Sequence, residues 1–155
     1  MPDDMSPLRK GAKQGSFVDN YLLYLLASVS HHASGQFHAY VRSKGVRVPE
    51  WRVLATLHDE DGAMITTLAR ISLLEQSHLT KIVDQMQRAG LVKRRPDPKD
   101  ARRVRVFLTE KGRELATELV TDARAHEASL MDRLSEEEAA AIKPVLKSLL
   151  ARLEP

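Results

Sequence analysis

At 155 residues, with 43% hydrophobic content and a formal charge of +3, the chain suits one domain with a true core, alone or with an oligomerisation arm. It is too short for a large multidomain enzyme, and the absence of cysteine excludes disulfides, thiolate metal sites and cysteine redox sensing together. Met1 to Gly15 is polar and no segment approaches the roughly 20 apolar residues of a bilayer span, so a cytoplasmic setting with no membrane partner is expected.

Residues 1–15 are expected to be a disordered start. Leu22, Leu25, Leu26, Val29, Ala33, Phe37, Tyr40 and Val41 then recur at helical spacing and predict a long first helix from about Ser16 to Ser43, ended by Gly45. Pro49 sits where a second helix begins, with Trp51, Leu54, Leu57 and His58 on one face and a stop near Asp59-Glu60-Asp61-Gly62. Ile65 to Ile71 predicts a short third helix with Thr66 or Thr67 as its cap. Glu75 to Ala89 predicts a fourth, with Leu79, Ile82, Val83 and Met86 facing inward and Gly90 placed to close its end. Its opposite face carries Ser77, Lys81, Asp84 and Arg88.

From Leu91 to Thr109 two short apolar runs flank a loop dense in Pro, Asp and Arg, the pattern of a β-hairpin with a basic tip. Between Lys93 and Arg105 seven Lys or Arg face two Asp, a net of +5. That charge on a projecting loop suits a polyanion. Helix, basic hairpin, helix is the layout of a DNA-binding winged helix. Thr109 can cap a fifth helix whose inner face is Leu115, Leu119, Ala123, His126, Leu130 and Leu134. Ser135-Glu136-Glu137-Glu138 reads as a capping box opening a sixth, with Ile142, Leu146, Leu149, Leu150 and Leu153 along one side and Pro144 early enough to bend it without stopping it.

The charge is segregated. Residues 75–113 hold eleven Lys or Arg against five Asp or Glu, a net of +6, whereas residues 114–155 hold five against nine, a net of −4. A generic solubilising surface mixes the signs instead. The first, fifth and sixth helices also carry more apolar face than a small helix-turn-helix unit covers. A dimer interface would cover it, and so would a self-contained helical core.

Leu79-Thr80-Lys81-Ile82-Val83-Asp84-Gln85-Met86, then Arg88 to Asp100, then Arg102, Val104, Val106 and Leu108-Thr109-Glu110-Lys111-Gly112 resemble the MarR family of bacterial transcriptional regulators, without a gap from Leu68 to Leu115. The resemblance implies a mainly α fold with a small β-hairpin wing. Residues 49–109 form the winged helix-turn-helix, and 16–48 and 110–155 form long terminal helices that interlock in a homodimer. It implies operator DNA as partner, with the fourth helix in the major groove and Arg102 in the neighbouring minor groove. The narrow minor groove of A·T-rich DNA concentrates negative potential and attracts Arg. Asp100 is expected to orient that guanidinium by a charge-assisted hydrogen bond. The DNA-contacting set is then Gln76, Ser77, His78, Thr80, Lys81, Arg94, Arg95, Asp100, Arg102 and Arg103. Two departures stand out. Where the family commonly has Leu-Gly-Leu-Ser before the recognition helix, this chain has Ser72-Leu73-Leu74-Glu75, and Ala101 stands where Arg is frequent.

The family also implies a small-molecule effector, often a phenolic or aromatic carboxylate, held where the first, second and fifth helices meet the DNA-binding lobe. His31, His32, His38, Trp51 and Arg52 offer an aromatic wall, a cation and hydrogen-bond donors for it, although Trp51 also suits the core and Arg52 also suits an ion pair. No metal or cofactor is expected: adjacent His31 and His32 point about 100° apart on a helix, and His38 lacks the i+4 relation to either. An enzyme is disfavoured, since the chain has no Gly-rich phosphate loop, nucleophile elbow or carboxylate pair with a His partner. The alternative to a DNA-binding regulator is a winged helix used as a protein-interaction module.

Overall fold

The computed structural model describes residues 15–155; the expected disordered start, apart from Gly15, lies outside them. Two units divide the chain, Met1–Gln36 and Phe37–Pro155. In the first, Ser16 caps a four-residue helix, α1 (Phe17–Asn20), and Tyr21 is extended (ψ 116°) before α2 (Leu22–Ser43) begins. The single first helix expected from the periodicity is thus broken at one residue, which an apolar repeat of i, i+3 and i+4 does not register. Leu22, Leu23, Leu25 and Val29 are exposed.

The second unit takes over the last turns of α2. Phe37 and Val41 are buried and belong to its core. After Gly45, at φ +75°, α3 (Val48–Asp59) starts with Pro49 in its first turn, and the Glu50 carboxylate folds back to accept the Arg47 amide at 2.8 Å. Val53, Leu54 and Leu57 point inward. A two-residue strand, β1 (Ala63–Met64), leads into α4 (Ile65–Ser72). The N-cap of α4 is Met64, with no side-chain cap bond; Thr66 and Thr67, the expected caps, lie inside the helix. α5 (Gln76–Arg88) buries Leu79, Ile82, Val83 and Met86, the predicted stripe. Its end is a Schellman motif, with Gly90 (φ +75°) donating to Gln87 at 3.0 Å and Leu91 to Met86 at 2.9 Å.

β2 (Val92–Pro96) and β3 (Val104–Leu108) form the predicted hairpin, with Val92 opposite Leu108 and Pro96 opposite Val104. β1 adds to the far side of β3, Ala63 opposite Val106, giving the order β1-β3-β2. A two-residue strand carries no alternation, so it is invisible to patterning. α6 (Glu110–Met131) is capped by Thr109, whose hydroxyl accepts the Gly112 amide at 3.0 Å. α7 (Glu136–Leu153) opens with the Ser135–Glu138 capping box and runs on through Pro144. Ala116 and Leu119 join the core, whereas α7 buries no residue. Among the described residues no helix is long and apolar enough to cross a membrane.

Candidate nucleic-acid interface

Burying one stripe of α5 forces its other face outward. Gln76, Ser77, His78 and Lys81 are exposed on its first turns, and Thr80 is half-buried with its hydroxyl donating to the Gln76 carbonyl at 2.9 Å. The hairpin rises beside this helix. Between them lies a cleft of about 380 Å³ lined by Thr66, Gln76, Thr80, Arg94, Arg102 and Arg103, among others. Three guanidinium groups and three neutral hydrogen-bonding side chains thus share one concavity, a chemistry matched to phosphate and base edges.

The cations around it are held differently. Arg94 is engaged by Asp84 and donates from Nε to Gln87 at 3.0 Å, which fastens β2 to α5. Its guanidinium is therefore committed within the protein. Arg102 stands at the tip with its side chain 91% exposed. Its Nε and backbone amide both donate to Asp100 Oδ1 at 3.1 Å, and Nη2 reaches Oδ2 at 3.4 Å, the bond expected from the sequence. Those donors hold the Asp100 carboxyl below its usual range. Arg95 is exposed on β2, and Arg103 lies 3.8 Å from Asp100 and 4.0 Å from the Met64 sulfur.

Deeper in the wing lies a carboxylate that sequence reasoning missed. Asp97 is only 5% exposed. One oxygen accepts the Lys99 amide at 2.7 Å, and the other accepts Arg105 Nε at 3.1 Å and Nη2 at 3.0 Å. The Lys99 amide, followed by the Arg105 charge and bonds, lowers the Asp97 carboxyl below the ordinary range against the opposing effect of burial. The available signal was the proline on each side of it, which stiffens the turn it occupies.

The five residues expected at the effector site fall in two units, His31 and His32 in the first and His38, Trp51 and Arg52 in the second. In the N-terminal unit His31 and His32 are exposed, and His32 Nδ1 is 2.8 Å from the Ser28 carbonyl. In the second unit Trp51 meets Phe37 edge-on at 5.2 Å and Phe37 stacks on His126 at 5.6 Å. Arg52 turns away to donate to the Ser72 carbonyl at 3.3 Å. His38 is half-buried, and burial first, then Arg52, Arg42 and His126, lowers its pKa. Trp51 alone of these second-unit residues borders a cleft of about 270 Å³ between α3 and α6, with Ala55, Asp59, Ala123, Arg124 and Glu127. Arg124 was not singled out from the sequence.

The MarR family model matches residues 46–104, which spans α3, the helix-turn-helix and most of the wing. The chain is 31% identical to the HTH-type transcriptional repressor IacR of Pseudomonas putida over 113 residues, 69% of this chain and 68% of that protein. It also resembles the crystal structure of a MarR family transcriptional regulator from Silicibacter pomeroyi DSS-3 at 55% identity and a TM-score of 0.82, covering 90% of this chain and 99% of the other. The crystal structure of NadR in complex with 4-hydroxyphenylacetate is similar at 25% identity and a TM-score of 0.73, covering 94% of this chain and 97% of the other.

Proposed function

The chain belongs to the MarR family of transcriptional regulators, and from that premise we propose that it is a dimeric, sequence-specific operator-binding repressor that a small aromatic or phenolic acid releases from DNA. The observation that carries the reading is the cleft in which the outward face of α5 and the Arg102–Asp100 tip meet. A helix fits a major groove about 12 Å wide, and an exposed, oriented guanidinium fits the adjacent minor groove. Gln76, Ser77, His78, Thr80 and Lys81 contact the major-groove side, and Arg95 and Arg103 contact phosphate. Arg94 acts by holding the wing to the recognition helix. The protein works in the cytoplasm, where the operator is.

The effector sits in the cleft between α3 and α6. Trp51 supplies an aromatic wall and Arg124 a cation for a carboxylate, while Asp59 and Glu127 accept from a phenol hydroxyl. NadR, similar to this chain, has a crystal structure in complex with 4-hydroxyphenylacetate, a ligand that has both groups. The test is a mobility shift with DNA from upstream of the protein's own gene, across a salt series and a panel of phenolic and benzoic acids. Saturable binding that weakens steeply with salt and is relieved by one acid is expected. A protein that ignores this DNA at every salt concentration is a protein-interaction module instead.

A further inference from the structure

We propose that Asp97 is a positioning residue for the wing: through Arg105 and the Gly62 carbonyl it sets where Arg102 stands relative to the recognition helix. The inference rests on the DNA-binding reading above, yet its geometry is independent of any ligand.

The tip from Asp97 to Arg103 would otherwise be an exposed loop without a core. Asp97 organises it from within. Its amide donates to the Arg103 carbonyl at 2.8 Å, closing the loop at its base, and its carboxylate holds the Lys99 amide on one side and the Arg105 guanidinium on the other. Arg105 has a second hand: Nη1 donates to the Gly62 carbonyl at 2.9 Å. Gly62 immediately precedes β1, which runs directly into α4, so a chain of bonds joins the loop to the helix-turn-helix. Arg102 has no comparable tether of its own beyond Asp100, two residues away in the same loop.

Position matters more here than for a phosphate contact on a rigid helix. A minor-groove guanidinium must arrive one groove away from the base edges that α5 reads, and an error of about 1 Å in a positioned group is costly. A nearly buried carboxylate with a paired guanidinium also fixes one arrangement, because leaving either charge unpaired there is expensive.

The absence of native cysteine makes the measurement clean. Spin labels on Ala101→Cys, at the tip, and Arg88→Cys, on the exposed end of α5, report the wing-to-helix distance by double electron–electron resonance in the full chain without DNA. A narrow distribution is expected, and Asp97→Asn should broaden it at a temperature where circular dichroism shows the variant still fully helical. An unchanged width overturns the proposal. Operator affinity is read alongside. Asp97→Asn should weaken binding on the order of tenfold, the loss of one charged hydrogen-bond partner. In an Arg102→Ala background the same change should cost almost nothing, because Asp97 acts through Arg102. Equal losses in both backgrounds also overturn it. A parent protein that fails to bind DNA while the broadening persists would sink the regulator reading and leave the wing anchor standing.

Discussion

Leu73 carries the clearest local strain. It closes α4 in the left-handed region at φ +57°, ψ +41°, the only non-glycine residue with positive φ among those described, and the residue is 81% exposed. This is the position at which the family commonly has glycine. Two residues on, Glu75 occupies the N-cap of α5 without a side-chain cap bond. Both departures were legible as letters; their cost needed the backbone. Left-handed geometry costs a side chain roughly 1–2 kcal/mol, and glycine gives back part of that through its looser unfolded state. Leu73→Gly should therefore raise stability by about 1 kcal/mol, a rise of about 2–4 °C in Tm for a chain of this size, measured by calorimetry. A lower Tm would mean that the leucine makes an apolar contact in the assembled protein. Arg102 gives the opposite profile, since its exposed tip position loads function and not stability. Arg102→Ala should weaken operator binding by on the order of 1–3 kcal/mol with the melting curve unmoved, and an unfolded variant would contradict the tip assignment. The pair Asp100–Arg102 could be read from two residues of spacing. Asp97–Arg105 could not, because only the closed hairpin register brings together two residues eight apart.

At the scale of elements, the helices α3 to α7 and the hairpin appear in the predicted order because their stripes, caps and turn residues agree with one another. What patterning lost were the features of one or two residues: the break at Tyr21, the strand Ala63–Met64 and the Met64 cap. The Leu108-Thr109-Glu110-Lys111-Gly112 run shows how a motif becomes a joint. Thr109 donates its hydroxyl to the Gly90 carbonyl at 2.6 Å and its amide to Leu91 at 3.0 Å, and Lys111 reaches the Ala89 carbonyl at 3.0 Å. The start of α6 is thus pinned to the end of the recognition helix. A Cβ on Gly112 would stand 1.9 Å from the Leu91 carbonyl oxygen, so the two backbones must part if it is replaced. Gly112→Ala should cost roughly 1–3 kcal/mol and weaken operator binding as α5 tilts; a neutral melt would show that the corner yields freely. The wing has its own pH signature. Asp97 faces Arg105 and the Lys99 amide, Asp100 faces Arg102, Arg103 and Asp97, and both carboxyls lie below their ordinary values. A carboxyl lowered in the fold stabilises it above the unfolded pKa near 3.9 and surrenders that contribution as pH falls through the lower folded value. Carboxyl-carbon NMR titration should place both midpoints below about 3.9, and the wing should hold its form from neutral pH down to that range. A midpoint at or above it for Asp97 would mean the pair with Arg105 is not formed in solution.

At the scale of the whole molecule, charge segregation was legible from counting alone. Phe37, Val41, Ala116 and Leu119 pack into the core beside the helix-turn-helix, so parts of both terminal helices belong with the DNA-binding unit and only the rest is free for assembly. α7 makes the assembly argument. It is well formed, with a full capping box, yet buries nothing, and Leu146 and Leu150 on its apolar side are 42% and 57% exposed. A helix that contributes so little to its own subunit gains its stability from packing elsewhere. A second copy is the occupant the family relationship supplies, and two winged units then meet half-sites about one helical turn, roughly 34–36 Å, apart on a pseudo-palindrome. Leu146→Glu with Leu150→Glu puts two unpartnered charges into that face, where desolvation opposes association. Because neither side chain is in the subunit core, the variant should keep its helical circular dichroism, become monomeric by light scattering and lose specific operator binding while retaining weak, salt-sensitive attraction to any duplex. If the doubly charged protein remains dimeric and binds its operator normally, the two copies meet through another surface and α7 is free for a different role.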